Sequence, residues 1–368
     1  MANLQNIRRR IRSVKNIQKI TNAMDMIARS RFNAARDTLL SNLPYVDKTR
    51  DIIRRLMTQM HGQEDKSPFI MTRKQMIEEE KLGNGKFLFL VIASDKGLAG
   101  SYSSNVFKEA HDTIEYDGSE DDSKDATEEN FHKKNFDAIK DARAVPKTNQ
   151  MRAARGHVTA SGKSRPKSTG GAQSTANLSV AREYHDADYI DGIELITVGR
   201  KATSHFQQRG YNIIKHYHGI SERPNYQYAK EIADLIVERF MSGEITDVTM
   251  IYTRFVSAIS CVPDDVTLLP IITDDYIADS AAKEEYIYEP DAVTVLNDFL
   301  PKRLATRIYG AMLHGAASEL SSRMNAMSNA TDNAQELVGK LNLYYNKVRQ
   351  AGITNEINEI VGGANALE

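Results

Sequence analysis

What is scarce in this 368-residue chain narrows the field first. It has one cysteine, Cys261, so an intramolecular disulfide and any multi-cysteine metal site are excluded. There is no tryptophan, and no apolar run approaches the roughly 18 residues that would cross a bilayer. Net charge is nearly absent, 48 Lys and Arg against 49 Asp and Glu, so bulk electrostatics calls for no polyanionic partner. These absences describe a soluble protein of a reducing compartment. From Ala2 to His61 glycine is missing and proline occurs once, at Pro44. From Ala142 to Ala181 there is no acidic residue.

Charge balances only over the whole length. Nine basic residues and one acid, Asp25, lie between Arg8 and Arg36, whereas nine acids and only Lys124 lie between Asp112 and Glu129. The basic start imitates an organellar transit peptide, but it continues without a cleavage-like boundary into a helical pattern. Ile7, Ile11, Val14, Ile17, Ile20, Met24 and Ile27 recur by threes and fours, which predicts one stripe of a long helix, with Pro44 a place to bend. After Pro301 the theme returns in Ile308, Met312, Leu320, Met324, Met327, Leu337, Leu341, Tyr344, Val348, Ile357 and Ile360. Gly310, Gly315, Gly339 and Gly352 inside that stripe predict close approach of another backbone. Two such helices can satisfy each other as an antiparallel coiled coil.

Between them the pattern changes. Phe87 to Ala93 is a continuous apolar run, as in a strand covered on both faces. Further strands are predicted at Ile193–Val198, Tyr211–Ile214 and Val248–Val256, with a helix over Tyr226–Phe240. That alternation predicts a Rossmann-like α/β domain with a largely parallel sheet. Residues 112–191 interrupt it with Ser, Thr, Gly, Lys and Asp and read as a largely disordered insertion, in which Phe131–Ala144 could form a short helix. The resulting organisation is 1–61 for the first long helix, 62–290 for the α/β domain and 291–368 for the second long helix.

The chemical motifs are weak. Gly162-Lys163-Ser164 lacks the upstream glycine, strand and helix of a phosphate loop. Gly97 and Gly100 fall one glycine short of a dinucleotide fingerprint and read as turn residues with positive φ. His216 and His218 alternate on one strand face, without the spaced carboxylate or cysteine that would complete a metal site. Cys261 is expected to pack as a small apolar residue. The basic N-terminal face suits an acidic protein, an acidic lipid surface, nucleic acid or plain water, and its one aromatic residue, Phe32, offers little for stacking on bases. These readings predict no catalytic residue, no cofactor and no metal. They describe an elongated coiled coil carrying an α/β head, a mechanical or interaction protein.

Four ordered motifs carry a resemblance. They are the run Asn6 to Met26 (NIRRRIRSVKNIQKITNAMDM), the loop Ser94 to Gly100 (SDKGLAG), the stretch Met327 to Ala334 (MSNATDNA) and the stretch Ile353 to Val361 (ITNEINEIV). Together they resemble the gamma subunits of F-type ATP synthases. The resemblance implies a rotor shaft turning inside a hexamer of alternating alpha and beta subunits, with a foot on the epsilon subunit and the c ring. It implies no catalytic group of the chain's own, and membrane association only through the complex. Carried over by motif, the partner-contacting residues are Arg8, Arg9, Lys19 and Met24, then Glu319, Arg323, Arg349, Gln350 and Thr354. The 112–191 segment exceeds the family's usual connection. The cysteine-bearing redox insert of chloroplast relatives is missing between Leu268-Leu269-Pro270 and Tyr286-Ile287-Tyr288, which excludes thiol regulation of that kind. The first motif's closeness to Met1 leaves no room for a presequence, which implies the cytoplasmic face of a bacterial plasma membrane. A specialised F1-like ATPase motor and a basic coiled-coil nucleic-acid binder are the competing expectations.

Overall fold

The computed structural model describes residues 2–60, 67–71, 86–114, 192–272 and 287–365. The expected helix at Phe131–Ala144, the Gly162-Lys163-Ser164 motif and nearly all of the 112–191 segment lie outside them.

Two helices dominate. α1 (Ala2–Met60) has 59 residues and α5 (Ala292–Asn365) has 74, about 90 and 110 Å at 1.5 Å per residue. Asp291 starts α5: its carboxylate accepts from the Thr294 N–H at 2.9 Å and the Thr294 hydroxyl at 2.8 Å. Pro301 therefore sits inside the helix rather than ahead of it. The helices run antiparallel, since Arg8 reaches Tyr345, Gln18 reaches Gln335 and Thr21 reaches Thr331.

The seam differs from the stripe expected of α1. The residues turned inward are Ile7, Ile11, Val14, Gln18, Thr21, Asp25, Ala28, Phe32, Ala35 and Leu39, alternating steps of four and three. Facing them in α5, Leu320, Met324, Met327, Thr331, Ala334, Val338, Leu341, Tyr345, Val348 and Gly352 keep the same alternation. This is the heptad of a left-handed coiled coil, and it passes through polar residues midway. Ile17, Ile20, Met24 and Ile27 fall beside the seam and are 51%, 55%, 37% and 55% exposed. The glycine expectation also changes. No other backbone comes close: at Gly310 and Gly315 a Cβ would meet only side chains at ordinary contact distance, Asn42 at 3.9 Å, and Ile92 and Tyr102 at 3.4 Å. At Gly339 and Gly352 a Cβ would meet nothing within 4 Å.

The head is a five-stranded sheet in the order β4-β3-β2-β5-β6. β2 (Phe87–Ile92), β3 (Ile193–Val198), β4 (Asn212–Tyr217) and β5 (Asp247–Phe255) are parallel, and β6 (Cys261–Leu269) returns antiparallel at the edge. A two-residue parallel pair joins β1 (Ile70–Met71) to β7 (Ile271–Ile272). α2 (Tyr102–Ile114) and α3 (Arg200–Gln207) cover one face, burying Val106, Ala110, Ala202 and Phe206 against Phe89, Val91, Leu195 and Ile251. The other face, with Leu88, Leu90, Ile92 and Met250, packs on α4 (Tyr226–Met241), the end of α1 at Ile53 and Leu56, and α5 from Leu296 to Met312. Covered on both sides, β2 reads as the uninterrupted apolar run seen in the sequence.

Candidate functional site

In a doubly wound sheet, ligands bind beyond the carboxyl ends of the strands where the strand order reverses. Here that point lies between β2 and β5, and α5 occupies it. Gly315 lets the helix settle on Ile92 and Tyr102. The Phe255 N–H donates to His314 Nδ1 at 3.3 Å, Ser321 donates to the Ala258 carbonyl at 2.6 Å, and Asn325 donates to the same carbonyl at 2.8 Å. Burial and the nearby Arg254 charge push His314 down to about 3, which keeps it a neutral acceptor. Cys261 lies in this junction beside Phe32, Phe255 and Leu320. The crevice that could take a cofactor is thus filled by the chain's own helix.

The SDKGLAG loop organises the same junction. Asp95 accepts from the Arg200 N–H and the Ser221 N–H, both at 3.1 Å, while its own N–H donates to the Ser221 hydroxyl at 3.1 Å. It thereby supplies the cap that Gly199 cannot give α3. Burial works to raise the Asp95 carboxyl, but the N–H donors of Gly219, Ser221 and Arg200 outweigh it and hold it below the usual carboxylate range. Gly100 has the positive φ expected of a turn glycine (+61°). In place of Gly97 it is Leu98, at +66°, that adopts the other left-handed conformation. Gly199 cannot be replaced freely: at φ +100° a Cβ would lie 2.4 Å from the Ala93 carbonyl oxygen.

Above the loop lies an ion cluster. Glu222 accepts from Lys96 Nζ at 3.0 Å, from Arg323 at 2.9 Å and from Arg31. Arg323 also reaches Glu319 at 2.5 Å. Burial would raise the Glu222 carboxyl, but the Lys96 hydrogen bond and the charges of Arg323, Lys96 and Arg31 hold it low. Burial pushes the Glu319 carboxyl up in spite of Arg323. Glu222 is therefore the firm anion of the group.

Glu319 is 0% exposed and Arg323 is turned onto Glu222, so both are spent inside the chain and offer a partner no free surface in this arrangement. The remaining carried-over residues are exposed along the coil. Lys19 and Met24 flank the seam. Arg8, Arg9, Arg349, Gln350 and Thr354 gather at the end away from the head, because Arg8 donates to the Tyr345 hydroxyl at 2.7 Å. The Thr354 hydroxyl bonds back to the Gln350 carbonyl at 3.0 Å. Beyond Gly352, α5 continues with Ile353, Ile357 and Ile360 48%, 54% and 72% exposed. Sequence reading missed Glu222 entirely. Its partners are named in the motif (Lys96) and in the basic run (Arg31), but nothing along the chain links them. His216 and His218 stack at 4.6 Å, and His218 meets the Thr203 hydroxyl at 3.0 Å. No group of three or more metal-ligating side chains occurs among the described residues.

The family model described as ATP synthase matches residues 3–136 and 170–367, leaving unmatched a stretch narrower than the expected insertion. The ATP synthase gamma chain of Desulfitobacterium hafniense is 32% identical over 369 residues, covering 100% of both chains. That of Pelotomaculum thermopropionicum is 33% identical over 368 residues, again covering 100% of both. Relatives of essentially this length therefore exist. In fold, the chain is similar to one from the Euglena gracilis mitochondrial ATP synthase, OSCP/F1/c-ring, with a TM-score of 0.55, 14% identity, and coverage of 100% of this chain and 95% of that one. End-to-end kinship with gamma chains, joined to two long helices in a heptad seam on an α/β head, leads to one conclusion: the chain belongs to the ATP synthase gamma-chain family.

Proposed function

We propose that the chain works as the central shaft of a rotary ATP synthase, itself without catalysis, turning inside a ring of alpha and beta subunits. The observation that carries this reading is the exposed surface of the coil. Ile17, Ile20, Met24 and Ile27 form an apolar stripe beside the seam, and Ile353, Ile357 and Ile360 extend past it. Rows of exposed apolar residues on a monomer mark an interaction surface.

The mechanism follows from symmetry mismatch. One shaft with unlike faces presents different contacts to chemically identical catalytic subunits. Turning it permutes those contacts and shifts each subunit's open–closed equilibrium. A tenfold change in nucleotide affinity needs about 1.4 kcal/mol of differential contact, and a swing from 1:99 to 99:1 about 5.5 kcal/mol. An apolar stripe on one side and Arg8, Arg9, Lys19 and Arg349 elsewhere supply that unevenness. The head, at the opposite end of the coil, is the part placed to meet a c ring and an epsilon subunit at a membrane. No described helix is long and apolar enough to cross one.

Affinity purification of the tagged chain from its own cells tests this. Alpha and beta subunits should co-elute with ATPase activity, and the separated chain should have none. A chain truncated before Arg349 should still assemble but couple poorly, since the head and most of the seam remain. Elution without ATPase subunits would overturn the reading.

A further inference from the structure

We propose that Glu222 is the positioning residue that fixes the angular register of the shaft on its head. The inference rests on the shaft reading above. Glu222 stands in the loop between β4 and α4, and its carboxylate binds three cations from three separate elements. Arg31 belongs to α1, Lys96 to the loop after β2 and Arg323 to α5. One side chain of the head therefore grips both shaft helices at once. Its side chain is 13% exposed and that of Arg323 12%, so salt and water weaken this pair little, while Arg31 and Lys96 approach from the solvent side.

His314, Ser321 and Asn325 also hydrogen-bond to the head, but all three belong to α5 alone, and the apolar part of the junction does a different job. Phe32, Leu39, Phe255, Leu313, Ala317 and Leu320 form the apolar packing next to the cluster. Burial of such surface holds the helices down but is non-directional, so a small rotation of the coil costs it little. Charge-assisted hydrogen bonds depend on angle, and three that converge on one carboxylate oppose twist. Twist is the load a shaft carries between a driven tip and a loaded head. The supports of Glu222 are themselves built in. Asp95 binds the Ser221 N–H next to it, and Glu319, fully buried, steadies Arg323 from the far side. Taking the charge from Glu222 would leave Arg31, Lys96 and Arg323 facing one another with Glu319 as the remaining anion. The cluster would open and the coil would gain angular play.

The test uses the whole complex in inverted membrane vesicles, comparing ATP-driven proton uptake with ATP hydrolysis. In Glu222→Gln, hydrolysis should persist while proton uptake per ATP falls below the parent ratio, as a loosened support for a positioned group predicts. Glu222→Asp should recover most of the ratio, which a role in folding alone would not explain. Arg31→Gln, on the half-exposed edge of the cluster, should give a smaller fall. If Glu222→Gln fails to assemble, Arg31→Gln decides: a lowered ratio supports the inference and an unchanged one overturns it. An unchanged ratio in both variants, with the parent complex pumping normally, overturns the role of Glu222 and leaves the shaft reading standing. A parent complex that hydrolyses ATP without pumping overturns both.

Discussion

His314 shows how a single buried side chain ties the shaft to the sheet. It accepts the Phe255 N–H that the end of β5 would otherwise leave unpaired, and it can do so only while neutral. Its folded pKa, pushed down to about 3 by burial and then by Arg254, lies far below the ordinary histidine value. The unfolded chain therefore takes up a proton near pH 6.5 that the folded chain refuses until about pH 3. Stability from this group is complete above pH 6.5 and falls through that window by up to about 1.4 kcal/mol per pH unit. His205, lowered to about 4 by burial, Arg209 and His111, acts in the same direction. Urea unfolding midpoints measured between pH 7.5 and 4.5 should drop in the parent and drop less steeply in His314→Gln. Identical pH slopes would contradict the assignment.

The elements show what the sequence could and could not disclose. β2, β3, β5 and α4 stand within a residue of their expected bounds, because strands covered on both faces and an amphipathic helix carry strong local patterns. β6 escaped notice, since an edge strand that includes Pro263, Asp264 and Asp265 is half solvated and carries no apolar run. In α1 the apolar residues themselves mislead: Ile17, Ile20 and Met24 look like the seam, while Gln18 and Thr21 are the seam. A stripe drawn through hydrophobic residues cannot tell a face that meets its own chain from one that meets a partner. The Glu222 cluster was illegible for a different reason, its members being spread from Arg31 to Arg323. The register is open to direct test. Thr21 Oγ1 and Thr331 Oγ1 lie 2.7 Å apart, so cysteines there have the closeness a disulfide requires. Thr21→Cys with Thr331→Cys, in a Cys261→Ser background, should form an intrachain bond on mild oxidation, read as a shift on a non-reducing gel. A Met24→Cys, Thr331→Cys pair should form none. Equal cross-linking by both pairs would reject the heptad alignment.

On the scale of the whole molecule, an asymmetric coil about 110 Å along its longer helix carries a head at one end and exposed apolar and basic residues at the other. That polarity is what a transmitter of torque needs: a grip on the head, a seam that keeps two helices together, and an outer surface reserved for others. A shaft must turn. With the complex of this chain and its alpha and beta subunits fixed to glass, a bead can be attached through Lys201→Cys, exposed on the head, in the Cys261→Ser background. On addition of ATP the bead should turn repeatedly in one sense, and stop when ATP is exhausted. Steady ATP hydrolysis beneath a bead that only fluctuates about a fixed angle would contradict the claim that this chain is the shaft.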